Sequence, residues 1–205
     1  MKIKHRIALL FALLSLDANL ARSEPSETQL AKKATAIGAA ASDELLSELK
    51  AALTSALATG GPVHAIEFCS SQAIPLTQSL SKKYGDMVTV ARTSSQVRNP
   101  ANAPDALDRK ALNQAAKDLQ KGDLSDFVLL EEDNRTARFY RPITTGALCL
   151  TCHGMQADIP SEVRSALQRT YPDDRATGYR LGDLRGLIRV RVREGAVMPQ
   201  DRQGQ

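Results

Sequence analysis

Residues 149–153 read Cys-Leu-Thr-Cys-His, and no other segment constrains the chain so strongly. Cys-x-x-Cys-His is the attachment sequence for c-type haem. The spacing has a chemical reason. Two thiols three positions apart can each add across one haem vinyl group, and His153 then lies beneath the iron, which it can ligate through an imidazole nitrogen. Three other readings of the cysteine pair compete: a thioredoxin-like redox pair, half of a zinc site, and a plain disulfide. Zinc fits poorly, because the whole chain has only three Cys and three His for a four-ligand structural site. A redox pair would not require the histidine, and no βαβ pattern precedes it. The expectation is one haem c, covalently attached through Cys149 and Cys152, with His153 on the iron.

The N-terminus agrees with this. Lys2, Lys4 and Arg6 make a basic start, and residues 7–16 form an apolar run of ten. Small residues follow near Ala21 and Ser23, the layout of a secretory signal peptide. The run is too short to span a bilayer as a helix, which needs about 20 residues. Residues 1–23 are therefore expected to be a signal peptide, with an uncleaved membrane anchor as the competing reading. Either way the body of the protein is exported. In bacteria haem c is attached outside the inner membrane, so motif and leader independently indicate the periplasm.

Charge must be read after export. The full chain has 27 basic and 23 acidic residues, net +4, with a pI near 9.0. Removing residues 1–23 takes away four basic side chains and one acidic, leaving 23 against 22 and a net charge of +1. No basic face for nucleic acid is implied. The remaining 182 residues suit one domain with a core of its own. Aromatic residues are scarce (4%) and Trp is absent; a haem would supply the large flat apolar body they usually provide.

Helices are expected early and strands later. Residues 26–57 are rich in Ala, Leu, Glu and Lys, with Ile37, Leu45, Leu49, Ala52 and Leu53 compatible with one helical face. Gly60-Gly61-Pro62 punctuates, and Pro62 can open a second helix at its first position. Ile66, Cys69, Ala73, Leu76 and Leu80 then form one stripe, with Pro75 a candidate kink. Residues 87–93 read as a strand, and residues 98–104 (Arg-Asn-Pro-Ala-Asn-Ala-Pro) as a loop. Asp105 should cap a third helix running to about Lys121. Residues 127–131 and 137–143 are strands flanking a turn near Asp133-Asn134. The haem sequence is expected on a loop after Gly146, residues 160–169 on a short helix, and residues 186–193 on a strand with one buried face. The tail 197–205 is expected to be disordered. There is no internal repeat and no second haem sequence. Clustered strands without regular strand–helix alternation predict an α+β fold with an antiparallel sheet and N-terminal helices, residues 24–196 forming the domain. A small electron-carrier cytochrome would be all-helical with its motif near the start; here about 125 mature residues precede it.

The chain also resembles a family of single-haem c-type proteins and sensor domains, long catalogued as a domain of unknown function and PAS-like in fold. The stretches that carry the resemblance are 92–94 (Arg-Thr-Ser), 98–105 (Arg-Asn-Pro-Ala-Asn-Ala-Pro-Asp) and 140–143 (Tyr-Arg-Pro-Ile). They continue through 149–154, Tyr171-Pro172, 176–179 (Ala-Thr-Gly-Tyr) and 182–186 (Gly-Asp-Leu-Arg-Gly), so that it covers about residues 28–194. It implies a PAS-like sheet and a second axial ligand from an upstream cysteine, which here is Cys69, giving His/Cys ligation.

Cys69 also stands out without the resemblance. It is the single Cys outside the motif, and an odd Cys in an exported protein needs an account. The competing reading is a buried free thiol. Other candidate ligands are His64, Met87, Met155 and Met198, or an open position. His64 lies five residues before Cys69, roughly 140° around a helix, so the two cannot easily face one iron. A thiolate ligand would favour Fe(III) and lower the reduction potential. Haem propionates need partners, for which Arg92, Arg98 and Arg141 are candidates against the plainer reading of surface arginines.

The functional expectation is single-electron transfer by an exported monohaem protein with a low-potential His/Cys haem, serving a redox partner protein, with no membrane span after cleavage. The alternative is a haem-based redox or gas sensor that loses Cys69 on reduction. No output segment follows residue 194, so a sensor would signal through a partner. Enzymatic turnover is not expected: beyond His153 the mature chain has only His64 as a histidine for distal acid–base work, and no carboxylate pair, nucleophile elbow or phosphate loop is evident.

Overall fold

The computed structural model describes residues 24–202, and the expected signal peptide lies outside them. Among the described residues no helix is long and apolar enough to cross a membrane. The architecture is α+β: a four-stranded antiparallel sheet with four helices.

The first element, α1 (Glu24–Tyr84), is two helical arms joined at Gly60 and Gly61, whose backbone is non-helical. Gly61 has φ of 71°, a conformation that favours glycine. Pro62 opens the second arm, as the Gly-Gly-Pro punctuation predicts, and Pro75 sits within it without leaving helical geometry. The arms fold back on each other, so that Glu44 pairs with both Lys83 and Tyr84. Leu30, Ala34, Ile37, Ala41 and Leu45 recur on the helical period and are buried against the sheet together with Leu80 and Tyr84. Gly38 allows the closest approach. A Cβ there would stand 2.2 Å from Cγ of Phe139.

The strands are β1 (Val88–Thr93), β2 (Phe127–Leu130), β3 (Thr136–Thr144) and β4 (Leu184–Arg193), in the order β1-β4-β3-β2. Alternation splits the sheet into two faces. Val88, Val90, Ala137, Phe139, Ile188, Val190 and Val192 meet α1. Tyr140 and Leu187 point the other way, onto Ala111, Leu112 and Ala115 of α2 (Ala106–Lys121). Asp105 caps α2 through a reciprocal capping box with Asp108, as expected of an acidic N-cap. Asp108 is fully buried and accepts bonds from Tyr140, Arg138 and Arg189, clamping α2 to the sheet.

One expectation is corrected: the haem sequence lies on a short helix, α3 (Ala147–His153), where a loop was expected. Towards the end of the described residues Met198 packs against the main core, and residues 199–202 form a 3-10 turn. The remaining helix, α4 (Ser161–Thr170), packs Val163, Ala166 and Leu167 on Ile66, with Cys152 and Tyr171 at its margin.

A cleft that gathers the cysteines

Both apolar stripes of α1 run out of the sheet core into one cleft. Leu49, Leu53 and Leu57 of the first arm and Ala65, Ile66, Cys69 and Ala73 of the second form one wall. Leu148, Cys149, Thr151, Cys152 and His153 of α3 line it as well, together with Arg92, Arg98, Asn99, Asn102, Tyr171 and Arg185. The cleft encloses about 1110 Å³, counting its open mouth. The expected site residues Cys69, Cys149, Cys152, His153, Arg92 and Arg98 thus share one space. All three cysteines are free thiols.

The helix α3 is too short to be stable alone and is held by the chain that follows α4. Tyr179 N donates to the His153 carbonyl at 3.0 Å and Gly178 N to the Gly154 carbonyl at 2.7 Å. Arg98 reaches in from the opposite side. Its Nη2 donates to the Cys152 carbonyl at 2.6 Å, while it pairs with Asp174 at 2.9 Å. Both partners of that pair are nearly buried, with side chains 12% and 10% exposed. Arg98 is therefore a strut between the motif helix and the 171–179 segment.

His153 is poised as a neutral imidazole. Its Nδ1 lies 2.7 Å from the Ala176 carbonyl oxygen. A carbonyl only accepts, so Nδ1 carries the proton and Nε2 keeps its lone pair. Burial, reinforced by Arg98 and Arg185, pushes its pKa down to about 3. Burial also raises the Cys69 thiol above its usual range, with Arg92 and Arg98 pulling the other way. Among the alternative ligands, His64 is exposed and lines no part of the cleft; Met87 and Met155 are 46% and 44% exposed. Met198 belongs to the main core. Of these candidates Cys69 alone reaches the cleft.

Arg141 does not line the cleft. It shares a sheet face and a cross-strand row with Arg92, the two flanking Ile188. With β4 between their strands they are about 10 Å apart, and Arg141 pairs instead with Asp126 and Asp43. Arg185 was not among the expected site residues and does line the cleft. Strict alternation would put it with Leu187 and Arg189 on the α2 face. The ladder shifts register there, pairing Ile143 with Gly186 and Thr144 with Leu184. Arg185 is the extra residue of that bulge, and bulges re-aim side chains. Tyr171, Asn99 and Asn102 are further lining residues that carried no local chemical signal.

Together these features define an α+β protein whose apolar cleft presents two motif thiols, a third thiol, a neutral imidazole with a free nitrogen, and arginines. That donor set suits a flat apolar group carrying a ligatable metal and acidic substituents. The chain belongs to the Tll0287-like family, whose model matches residues 19–193. It is similar to the protein in a solved crystal structure, that of the cyanobacterial heme-protein Tll0287. The two share 27% identity at a TM-score of 0.50, over 89% of this chain and 99% of that one. No curated protein matches at a significant level.

Proposed function

We propose that this chain is an exported monohaem c-type protein that transfers single electrons from a low-potential, His/Cys-ligated iron. The observation that carries the reading is the convergence of Cys69, Cys149, Cys152 and His153 on one apolar cleft. The family and the heme-protein described by the solved relative point to the same cofactor. A buried, unpartnered Nε on Arg92 in the wall gives an independent sign of fit, because it calls for an acceptor from outside the polypeptide.

A haem bound there supplies a one-electron iron couple. The rest is the work of this chain. Cys149 and Cys152 would hold the group through thioether bonds to its two vinyl substituents. His153 offers Nε2, with its ring fixed through Nδ1 by Ala176, the outer partner that sets ligand orientation. Cys69 offers a thiolate, whose negative charge favours the ferric state. The leucines of α1 keep water away from the group. We read the sheet, with helices on both faces, as a PAS-like frame. We also read the protein as periplasmic, served by a redox partner, free of nucleic acid and without substrate turnover.

The test is to co-express the chain with a haem c attachment system. The reading expects a mature protein cut near residue 23 with one covalently bound haem, lost on Cys149→Ser/Cys152→Ser, and a reduction potential below that of His/Met cytochromes. Absence of covalent haem, or a potential in the His/Met range, overturns it.

A further inference from the structure

Four of the five arginines on the strands outside the cleft have a carboxylate partner, and the fifth, Arg193, is exposed at the end of β4. Arg138 and Arg189 pair with Asp105 and Asp108, Arg191 with Glu131, and Arg141 with Asp126. The two that face the cleft differ. Among the described residues Arg92 has no ion pair, and its Nε is buried without any hydrogen-bond partner. Arg185 has no ion pair either; it donates to Ser94 Oγ at 2.9 Å and lies 5.3 Å over the Tyr179 ring. The carboxylate that reaches this region, Asp174, is already paired with Arg98.

Two partly buried cations thus face one cleft; burial lowers the pKa of each, and the charge of Arg185 lowers that of Arg92 further. Such an arrangement is costly unless an anion completes it. Both arginines are delivered by backbone geometry. Arg92 follows Val88 and Val90 on the α1 face of β1, and Arg185 is turned inward by the β4 bulge. Gly186 lets that bulge lie against β1, since a Cβ there would stand 2.4 Å from the Thr93 carbonyl oxygen.

We propose that Arg92 and Arg185 form a paired carboxylate site that takes the two propionates of the bound haem, and that Arg98 is a strut outside it. The proposal rests on the haem reading above and adds which edge of the group lies where: the acidic edge is towards the ends of β1 and β4. A free dianion such as phosphate has the same chemistry, so the experiment must separate the two sources.

The probes are free-base protoporphyrin IX and its dimethyl ester, titrated into the mature full-length chain made without haem attachment. The diacid should bind at least about tenfold tighter than the ester, the scale of a charge-assisted hydrogen bond. Arg92→Gln and Arg185→Gln should each erode that ratio and the double variant should abolish it, while Arg141→Gln leaves it intact. Equal binding of diacid and ester by the wild-type chain, which needs no variant, overturns the proposal, as does a folded double variant that keeps the preference. Inorganic phosphate raising the thermal midpoint through Arg92 and Arg185, with no ester effect, reassigns the site to a free anion and overturns it too. Covalent haem attachment without an ester effect sinks this proposal alone. Failure of both attachment and porphyrin binding sinks the haem reading with it.

Discussion

Nδ1 of His153 sits 2.7 Å from the carbonyl oxygen of Ala176, a residue 23 positions further along the chain. This bond makes Nδ1 the protonated nitrogen and leaves Nε2 with its lone pair, on a side chain that lines the cleft. It depends on Asp174, whose Oδ1 accepts from Ala176 N at 2.8 Å while Oδ2 holds Arg98. One carboxylate therefore positions both the histidine's partner and the strut under Cys152.

Asp174→Ala removes that carboxylate and leaves Arg98 buried without its counter-charge. Breaking one partner of a buried pair costs about 3 kcal/mol, which for a domain of this size is roughly 6–12 °C in Tm. The variant should also show a heterogeneous histidine environment in its visible and NMR spectra. Thermal unfolding of variant and wild type checks the first expectation, and an unchanged Tm refutes it.

Gly38→Ala is expected to destabilise the fold although alanine is the better helix former. The added methyl would lie 2.2 Å from Cγ and 2.4 Å from Cβ of Phe139, a ring with no exposed surface. Overpacking of this kind costs about 1–3 kcal/mol, against the roughly 1 kcal/mol that Gly-to-Ala gains in an open helix. Urea denaturation measures the balance; a net stabilisation would mean that the helix and sheet are further apart than described.

Glu131 sets a pH window. Hydrogen bonding to Arg191, then to Arg138, overcomes burial and pulls its pKa down to about 2. The folded value lies below the ordinary one, so the stabilisation is present above pH about 4.5 and is lost as pH falls towards about 2. Unfolding free energies measured across that window should fall with acidity, and Glu131→Gln should flatten the slope. Equal slopes would remove Glu131 from the acid response.

Much of this was legible because it was periodic or punctuated. The stripe of Ile66, Cys69, Ala73 and Leu80 runs from cleft to core, and the same repeat that fills the core carries Cys69 into the cleft. Gly60-Gly61-Pro62 marked the turn between the arms of α1, and Asp105 the start of α2, because both act through local backbone chemistry. What escaped was set by tertiary structure. The helix α3 has no periodic signal of its own and is held by carbonyl contacts from Arg98 and backbone bonds to residues 178–179. Arg185 escaped because one extra residue in a ladder reverses the face that alternation assigns. Arg141 is held away from the cleft by Asp43 and Asp126, partners from other elements that its own stretch of sequence does not reveal.

The central claim is that Cys69 and His153 address one iron in this cleft, and the most direct test compares oxidised haem-loaded wild type with Cys69→Ala by low-temperature EPR. The account predicts a low-spin ferric signal of thiolate character in the wild type, lost in the variant while the covalent haem remains. An identical low-spin spectrum in both proteins would contradict it and take Cys69 off the iron.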